Sequence, residues 1–311
     1  MRDPRISFYG RTYLDVEVQV PVESLAAKKG KVDARVSAVH GGFAANAARA
    51  VGSRFAPGEV RVVTATSWAD WPRLRHGLPA GVALDAIVTG AGDSLPPISV
   101  IIDPARACRI FRDRAEHDAA DWQLERVPAG ALSARLHVLG RLPGPFAARL
   151  LARSREEGAR FAWCGGDALP PELERDCDLL CVNSAEAGRL LGASGVSPRR
   201  LAEALAARAR VKDAVRVVTG GGKSATAAAF RVGRGVRCHE AEPAAVAARR
   251  ITRLLGVGDA FAAHFVAAAC FDARGLPRRR LEVGRALVAA QRAAGRFITT
   301  ARPGQPLPLG R

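Results

Sequence analysis

Residues 135–164, RLHVLGRLPGPFAARLLARSREEGARFAWC, contain the pattern that decides the fold. A short apolar run (135–140) is followed by a helical pattern (145–157) and then by a second apolar run (159–164). Short apolar runs that close on a Gly, an Asn or a polar residue are typical of buried strands. The stretch therefore predicts a strand, a helix and a second strand.

The same alternation continues in both directions along the chain. Further strands are predicted at 6–10, 60–65, 177–183 and 215–220. Further helices are predicted at 43–51, 68–77, 184–191, 198–209, 259–271 and 278–296. This order predicts an α/β fold with a wound, mostly parallel sheet flanked by helices on both faces. Ligand sites are then expected beyond the carboxyl ends of the strands.

Two segments interrupt this alternation. Residues 12–40 contain the alternating runs YLDVEVQV and KVDARVSAVH around a turn at Lys29-Gly30, and residues 95–112 predict a hairpin with its turn at Asp103-Pro104. Two strand pairs inserted into a wound sheet predict a small second sheet, which we expect to form a lid. Its exposed face offers a surface for pairing with another subunit in a homodimer.

Length and composition favour one globular domain. The 311 residues, 48% of them hydrophobic, are enough for a single α/β domain spanning 1–311. No apolar run approaches the roughly 18 residues of a membrane span, so no membrane partner is expected. The N-terminus lacks the apolar segment of a signal peptide, and the six cysteines include no CxxC pair. The predicted location is the cytoplasm.

The net charge of +17 raises the question of nucleic-acid binding. The basic residues are 5 lysines and 42 arginines (47 − 5), and they are scattered along the chain. Aromatic residues do not interleave with them as stacking platforms would. We therefore expect a solvated basic surface and no nucleic-acid partner.

The segment GGFAANAARAVG (41–52) is the first candidate binding motif. Its paired glycines let the backbone approach a ligand, and Asn46 adds an amide that both donates and accepts hydrogen bonds. An ordinary turn from a strand to a helix is the alternative interpretation.

The segment LLGVGDAFAAHFVAAA (254–269) places Asp259 at the start of an apolar helix. The backbone amides of residues 256–258 can form an anion-binding nest, and a carboxylate beside them can accept a hydroxyl proton. The alternative is that Asp259 only caps the helix.

Two further motifs follow predicted strands. TGGGKS (219–224) is not a P-loop, because Val217 stands where that pattern requires Gly. It can still lie along a nucleotide, and a plain turn between strands is the alternative. In CVNSAEAG (181–188), Asn183 and Glu186 are spaced to aim at the same site, where they can hold a hydrated magnesium ion. A helix capping box fits the same two residues.

Histidine and cysteine spacing indicates no protein metal site, and no G-x-S-x-G sequence supports a hydrolase. The order of the motifs is more informative: an early Asp, GG…N, N-x-x-E, T-x-G, then G-x-G-D. In this order the chain resembles the ribokinase family, also called PfkB-type carbohydrate kinases, over nearly its whole length.

The resemblance implies a role for each motif. The implied acceptor-binding residues are Asp15, Gly41, Gly42 and Asn46. The implied ATP and magnesium residues are Asn183, Glu186, Thr219 and Gly221. The implied anion hole and catalytic base are Gly256, Val257, Gly258 and Asp259. The family also carries a β-sheet lid over the acceptor, in agreement with the two inserted strand pairs.

The chain departs from the family pattern at three places. The family usually has D-T-T before its G-A-G-D sequence, whereas this chain has Arg253, Leu254 and Leu255. The family's Asp and Thr lie where many members bind a monovalent cation, so we expect little dependence on potassium here. The Arg253 guanidinium can either stand in for the ion or simply reach solvent. Ser224 replaces a usual glycine, and Phe43 places an apolar side chain in the acceptor region.

The sequence therefore predicts an ATP- and magnesium-dependent kinase that phosphorylates a primary hydroxyl of a sugar or sugar-like compound. A nucleoside is the main rival acceptor. A ligand-binding pseudokinase is the alternative from another class, and the intact Asp259 argues against it.

Overall fold

The computed structural model describes residues 4–19, 34–66, 71–88, 98–102, 109–112, 122–165, 169–222, 224–247 and 250–300. Strands of the larger sheet are β1 (Ile6–Tyr9), β4 (Val60–Thr66), β5 (Val82–Val88), β8 (Leu136–Leu139), β9 (Arg160–Cys164), β10 (Leu179–Asn183), β11 (Val215–Thr219), β12 (Thr226–Val232) and β13 (Gly235–Ala241). Strands of the smaller sheet are β2 (Tyr13–Gln19), β3 (Arg35–Gly41), β6 (Ile98–Ile102) and β7 (Arg109–Arg112). Helices are α1 (Phe43–Val51), α2 (Trp71–His76), α3 (Ala129–Leu132), α4 (Gly144–Glu156), α5 (Pro171–Asp176), α6 (Ser184–Leu191), α7 (Pro198–Arg208), α8 (Val257–Cys270) and α9 (Val283–Thr300).

The larger sheet has the strand order β13-β12-β11-β10-β9-β8-β1-β4-β5. Neighbouring strands from β11 to β5 pair in parallel, and β12 and β13 add an antiparallel edge. The chain winds outward from β1 in both directions, so β1 and β8 flank the point at which the strand order reverses. In open α/β sheets, ligands bind beyond the carboxyl ends of the strands at this point.

Helices cover both faces of this sheet, because side chains of successive strand residues point to opposite faces. Phe8 packs in the cluster that includes residues of α1, α8 and α9, and Tyr9 packs in the cluster that includes residues of α4 and α7. The predicted wound, mostly parallel sheet between two layers of helices is confirmed. None of the described helices is long and apolar enough to cross a membrane.

The inserted segments form a separate sheet in the order β3-β2-β6-β7. Each predicted hairpin is antiparallel, and β2 joins the two hairpins by pairing with β6 in parallel. The second sheet predicted from 12–40 and 95–112 is thus confirmed, and we call it the lid sheet. The turns predicted at Lys29-Gly30 and Asp103-Pro104 lie outside the described residues.

Four elements were not anticipated from the sequence, and one of them is the four-residue helix α3. Helix α5 is a six-residue polar segment that begins with Pro171, too short to show a helical period. Strand β13 is exposed and polar, and it forms because a tight turn pairs it with β12. Strand β5 contains Asp85, whose carboxylate pairs with Arg61 on the neighbouring strand at 2.7 Å. Two predicted helix starts also differ from the structure. Helix α9 was predicted to begin at 278 and begins at Val283, and helix α8 was predicted to begin at 259 and begins at Val257.

Candidate active site

The two paired glycines are shaped by close packing against the lid sheet. Gly42 is the N-cap residue of α1 with φ 90°, and a Cβ atom there would lie 2.2 Å from the Arg11 carbonyl oxygen. A Cβ atom on Gly41 would lie 1.8 Å from Asp15 Oδ2. The Asp15 carboxylate therefore occupies the space that a side chain at 41 would fill. Three of the predicted acceptor residues are in this way brought together where β2, β3 and α1 meet.

Strand β2 of the lid sheet buries its acidic side chains more deeply than its valines. Along β2, Asp15 and Glu17 are 5% and 0% exposed, whereas Val16 and Val18 between and after them are half-buried. Successive strand residues point to opposite faces, so both carboxylates lie on the side that is covered. This inversion of the usual pattern places acidic groups where a polyhydroxyl ligand is expected.

Asn46, one of the predicted acceptor-binding residues, contacts the predicted base, Asp259. Its amide Nδ2 donates to Asp259 Oδ2 at 2.8 Å, and its side chain is buried in the first turn of α1. Helix α8 has Gly256 as its N-cap residue, in the left-handed conformation with φ 82°. Asp259 is therefore the third residue of the helix and not its N-cap residue. The alternative interpretation, in which Asp259 only caps the helix, is therefore wrong.

The amides that precede Asp259 are not equivalent. The first residues of a helix have N–H groups without intrahelical acceptors, which favours anion binding. Here the Val257 N–H donates to the Leu254 carbonyl at 3.2 Å, so it closes the turn. Gly258 is exposed, and a Cβ atom placed on it would meet no atom within 4 Å. The open space of the predicted anion hole lies at Gly258.

Helix α8, which carries Asp259, packs against β9. A hydrogen bond with Cys181, burial and the nearby charge of Asp259 together raise the pKa of the Cys164 thiol well above its usual value. Cys164 ends β9 and pairs in register with Cys181 of β10, which also carries Asn183 at its end. The predicted base is therefore on a helix that contacts β9, and β9 is the neighbour of β10, the strand that ends at Asn183.

Asn183 and Glu186 form a capping box at the start of α6. The Glu186 N–H donates to Asn183 Oδ1 at 2.9 Å, and the Asn183 N–H donates to Glu186 Oε2 at 2.9 Å. Both residues therefore serve the helix, as the alternative interpretation expected. One carboxylate oxygen of Glu186, Oε1, is not used by the capping box, and Asn183 is exposed.

Thr219 lies beside Asn183, because the two residues are in register at the ends of β11 and β10. The Ser184 hydroxyl donates to the Thr219 carbonyl at 3.1 Å and ties the two ends together. Gly221 has φ 71°, and a Cβ atom there would meet no atom within 4 Å. Ser224 closes this turn by donating to the Gly220 carbonyl at 3.1 Å. The turn is thus open on the side of Gly221.

Two buried arginines belong to the site. Arg49 was not recognised from the sequence, and Arg253 was named there only as a departure from the family pattern. Arg49 donates to the His40 and Gly77 carbonyls at 2.6 Å each and approaches Asn46 Oδ1 at 3.5 Å. Burial and the positive charge of Arg253 lower the pKa of Arg49 to about 10, against an opposite effect of Asp15. The i, i+3 spacing of Asn46 and Arg49 was the available signal, since it places both on one side of α1.

Arg253 itself forms an ion pair with Glu17. The two side chains are 2% and 0% exposed. The guanidinium therefore does not reach solvent. Within the described ranges, no three His, Cys, Asp or Glu side chains come close enough to form a metal site.

Comparisons with known proteins support the fold. No protein-family model matches the sequence, and no curated protein matches it significantly. Solved structures do match, at low sequence identity. An Anopheles gambiae adenosine kinase in complex with P1,P4-di(adenosine-5) tetraphosphate has a TM-score of 0.74 and 17% identity, covering 97% of this chain and 97% of that one.

Two ribokinase structures are similar over comparable lengths. The Giardia lamblia ribokinase has a TM-score of 0.71 and 17% identity over 99% of this chain and 96% of that one. The Arabidopsis thaliana ribokinase, complexed with ribose and ATP, has a TM-score of 0.69 and 18% identity over 98% and 96%. The chain therefore has the fold found in ribokinases and adenosine kinases, including the lid sheet.

Proposed function

We propose that this chain, with the ribokinase-like fold, is an ATP-dependent kinase of the ribokinase family that phosphorylates a primary hydroxyl of a sugar or sugar-like molecule. The observation that carries the proposal is the Asp259 carboxylate, held at 2.8 Å by buried Asn46 beside the open backbone at Gly258. A base, an anion-binding turn and a polyhydroxyl-binding group are what transfer of a phosphoryl group to an alcohol requires.

In this mechanism the acceptor hydroxyls bind to Asp15, Asn46 and the Gly41-Gly42 backbone. The hydroxyl proton passes to Asp259, and the hydroxyl oxygen forms a bond to the γ-phosphorus of ATP while ADP leaves. The amide of Gly258 and the positive end of α8 stabilise the charge on the transferred group. Asn46 orients the carboxylate of Asp259, since it holds one of its oxygens.

The turn around Thr219 and Gly221 is the proposed ATP contact, because its backbone is open and lies next to Asn183. Oxygen ligands suit Mg²⁺, which usually keeps several waters. Asn183 and the Oε1 atom of Glu186 would hold such a hydrated ion. When bound, magnesium neutralises charge on the ATP phosphates.

A nucleoside is the second candidate acceptor, favoured by a likeness to adenosine kinase as strong as that to ribokinases. One coupled assay separates the two. ATP consumption is measured against a panel of pentoses, hexoses and nucleosides. Binding of the protein to heparin at physiological salt is measured in parallel, as a test for a nucleic-acid binder. Turnover with a sugar supports the proposal, turnover only with nucleosides supports the second candidate, and ligand binding without turnover supports a pseudokinase.

We further propose that the outer face of the lid sheet pairs with a second copy of the chain. This face carries Leu14, Val16 and Val18, and Val36 on β3 is 62% exposed. Apolar faces of this kind mark interaction sites. Sedimentation should show a dimer, and Val36→Lys should shift it toward monomer. A cytoplasmic location remains part of the proposal, in agreement with free cysteines at 164, 177, 181, 238 and 270.

A further inference from the structure

A pair of buried charges connects the lid sheet to the segment that precedes α8. Glu17 Oε1 and Arg253 Nη2 form an ion pair, and the side chains are 0% and 2% exposed. Glu17 lies on β2 two residues after Asp15, on the same buried face of the lid sheet. Arg253 stands three positions before Gly256, which begins the predicted anion hole.

The same segment is held from its other side by α9. The Thr252 N–H donates to the Ile298 carbonyl at 2.8 Å, and the Thr252 hydroxyl donates to the same oxygen at 3.1 Å. Neighbouring residues are therefore tied to different parts of the fold, Thr252 to a helix of the main fold and Arg253 to the lid sheet. A displacement of β2 acts on the backbone that leads directly into Gly256.

A buried ion pair is a costly way to gain stability, because the loss of hydration offsets much of the attraction between the charges. A well-packed apolar pair of similar volume is often as stable. What the ion pair adds is a directional contact, since a carboxylate meets a guanidinium in few arrangements. Arg49 lies near both Arg253 and Asp15, so two buried arginines and two buried acids share this region.

We infer that Glu17 and Arg253 are positioning residues that couple the lid strand carrying Asp15 to the backbone of the anion hole. Acceptor binding at Asp15 and the placement of Gly258 then depend on each other. The connection runs along β2 from Asp15 to Glu17, across the ion pair, and along the backbone from Arg253 to Gly256. The effect on turnover rests on the proposed function, whereas the mechanical coupling does not.

The coupling is tested on the full chain without ligands. Amide hydrogen exchange of residues 254–258 is compared in wild type, Glu17→Gln, Arg253→Met and the double variant Glu17→Gln/Arg253→Met. The control is Arg61→Met, which breaks a partly buried ion pair to Asp85 on β5. We expect at least tenfold faster exchange at 254–258 in the variants of the pair and no such change in the control.

The double variant keeps the test decisive if a single variant fails to fold, because it leaves no unpaired buried charge. Exchange at 254–258 equal to wild type in the folded double variant would overturn the inference. With an active wild type, we expect the double variant to lose at least tenfold in kcat, whereas equal kcat at equal fold stability would show a purely structural role. Absence of any turnover in wild type would count against the proposed function alone, since the exchange result stands without it.

Discussion

Replacing the proposed base by its amide, Asp259→Asn, is the most direct test of the chemistry. Asp259 Oδ2 accepts a hydrogen bond from Asn46 Nδ2 at 2.8 Å. An asparagine at this position can offer its amide oxygen to the same donor, so the contact survives. What disappears is the ability to accept a proton.

The expected magnitudes follow from these two facts. Loss of a general base commonly costs 10²–10⁴-fold in rate, which corresponds to about 2.7–5.5 kcal/mol of barrier. Exchanging a charge-assisted hydrogen bond for a neutral one costs about 1 kcal/mol of folding stability. The variant should therefore fold, with a slightly lower Tm and a turnover at least about a hundredfold slower.

The assay is the coupled measurement of ATP consumption at saturating acceptor, with circular dichroism to verify folding. Asp272→Asn is the matched control, because Asp272 is a half-buried aspartate that accepts hydrogen bonds from the Arg274 and Leu276 N–H groups beyond the far end of α8. It should retain wild-type turnover. If Asp259→Asn also turns over at the wild-type rate, Asp259 is not the base.

Three further outcomes are expected. Burial lowers the pKa of His137 to about 4 from an ordinary 6.5, so the unfolded chain binds the proton first and stability falls as the pH drops between these values. Between these pH values, this residue should lower the free energy of unfolding by about 1.4 kcal/mol per pH unit. Urea titrations at several pH values should show that the unfolding free energy of His137→Gln depends less on pH, and an unchanged dependence would contradict the reasoning. Gly42→Ala should abolish activity and lower the Tm strongly. Gly58 also has a positive φ of 85° but has open space around it, so Gly58→Ala should lower the folding stability by about 1 kcal/mol and keep activity. Equal effects of the two substitutions would refute the packing argument. Because Arg253 is buried and paired with Glu17, potassium added to a tetramethylammonium buffer should activate turnover less than tenfold, and a larger activation would contradict this.

The local pattern of the sequence was sufficient for most elements of the fold. Alternation of apolar runs and helical periods located the parallel strands and most of the helices, because burial on both faces of a sheet imposes that pattern. Four elements were missed: helices α3 and α5 are too short to show the pattern, strand β13 is too polar, and strand β5 is interrupted by Asp85. The organisation as one domain stays a prediction.

The sequence by itself determined the motifs and their order, and hence which residues to examine. Only the tertiary structure decided which of them meet: Asn46 contacts Asp259 across 213 positions, and Asp15 packs against Gly41. Glu17 and Arg253 show no shared signal in the sequence, because an ion pair between distant segments depends on how the lid sheet is placed against the segment that precedes α8. Local propensity acts between residues a few positions apart, whereas burial of a charge is set by whatever the fold brings around it.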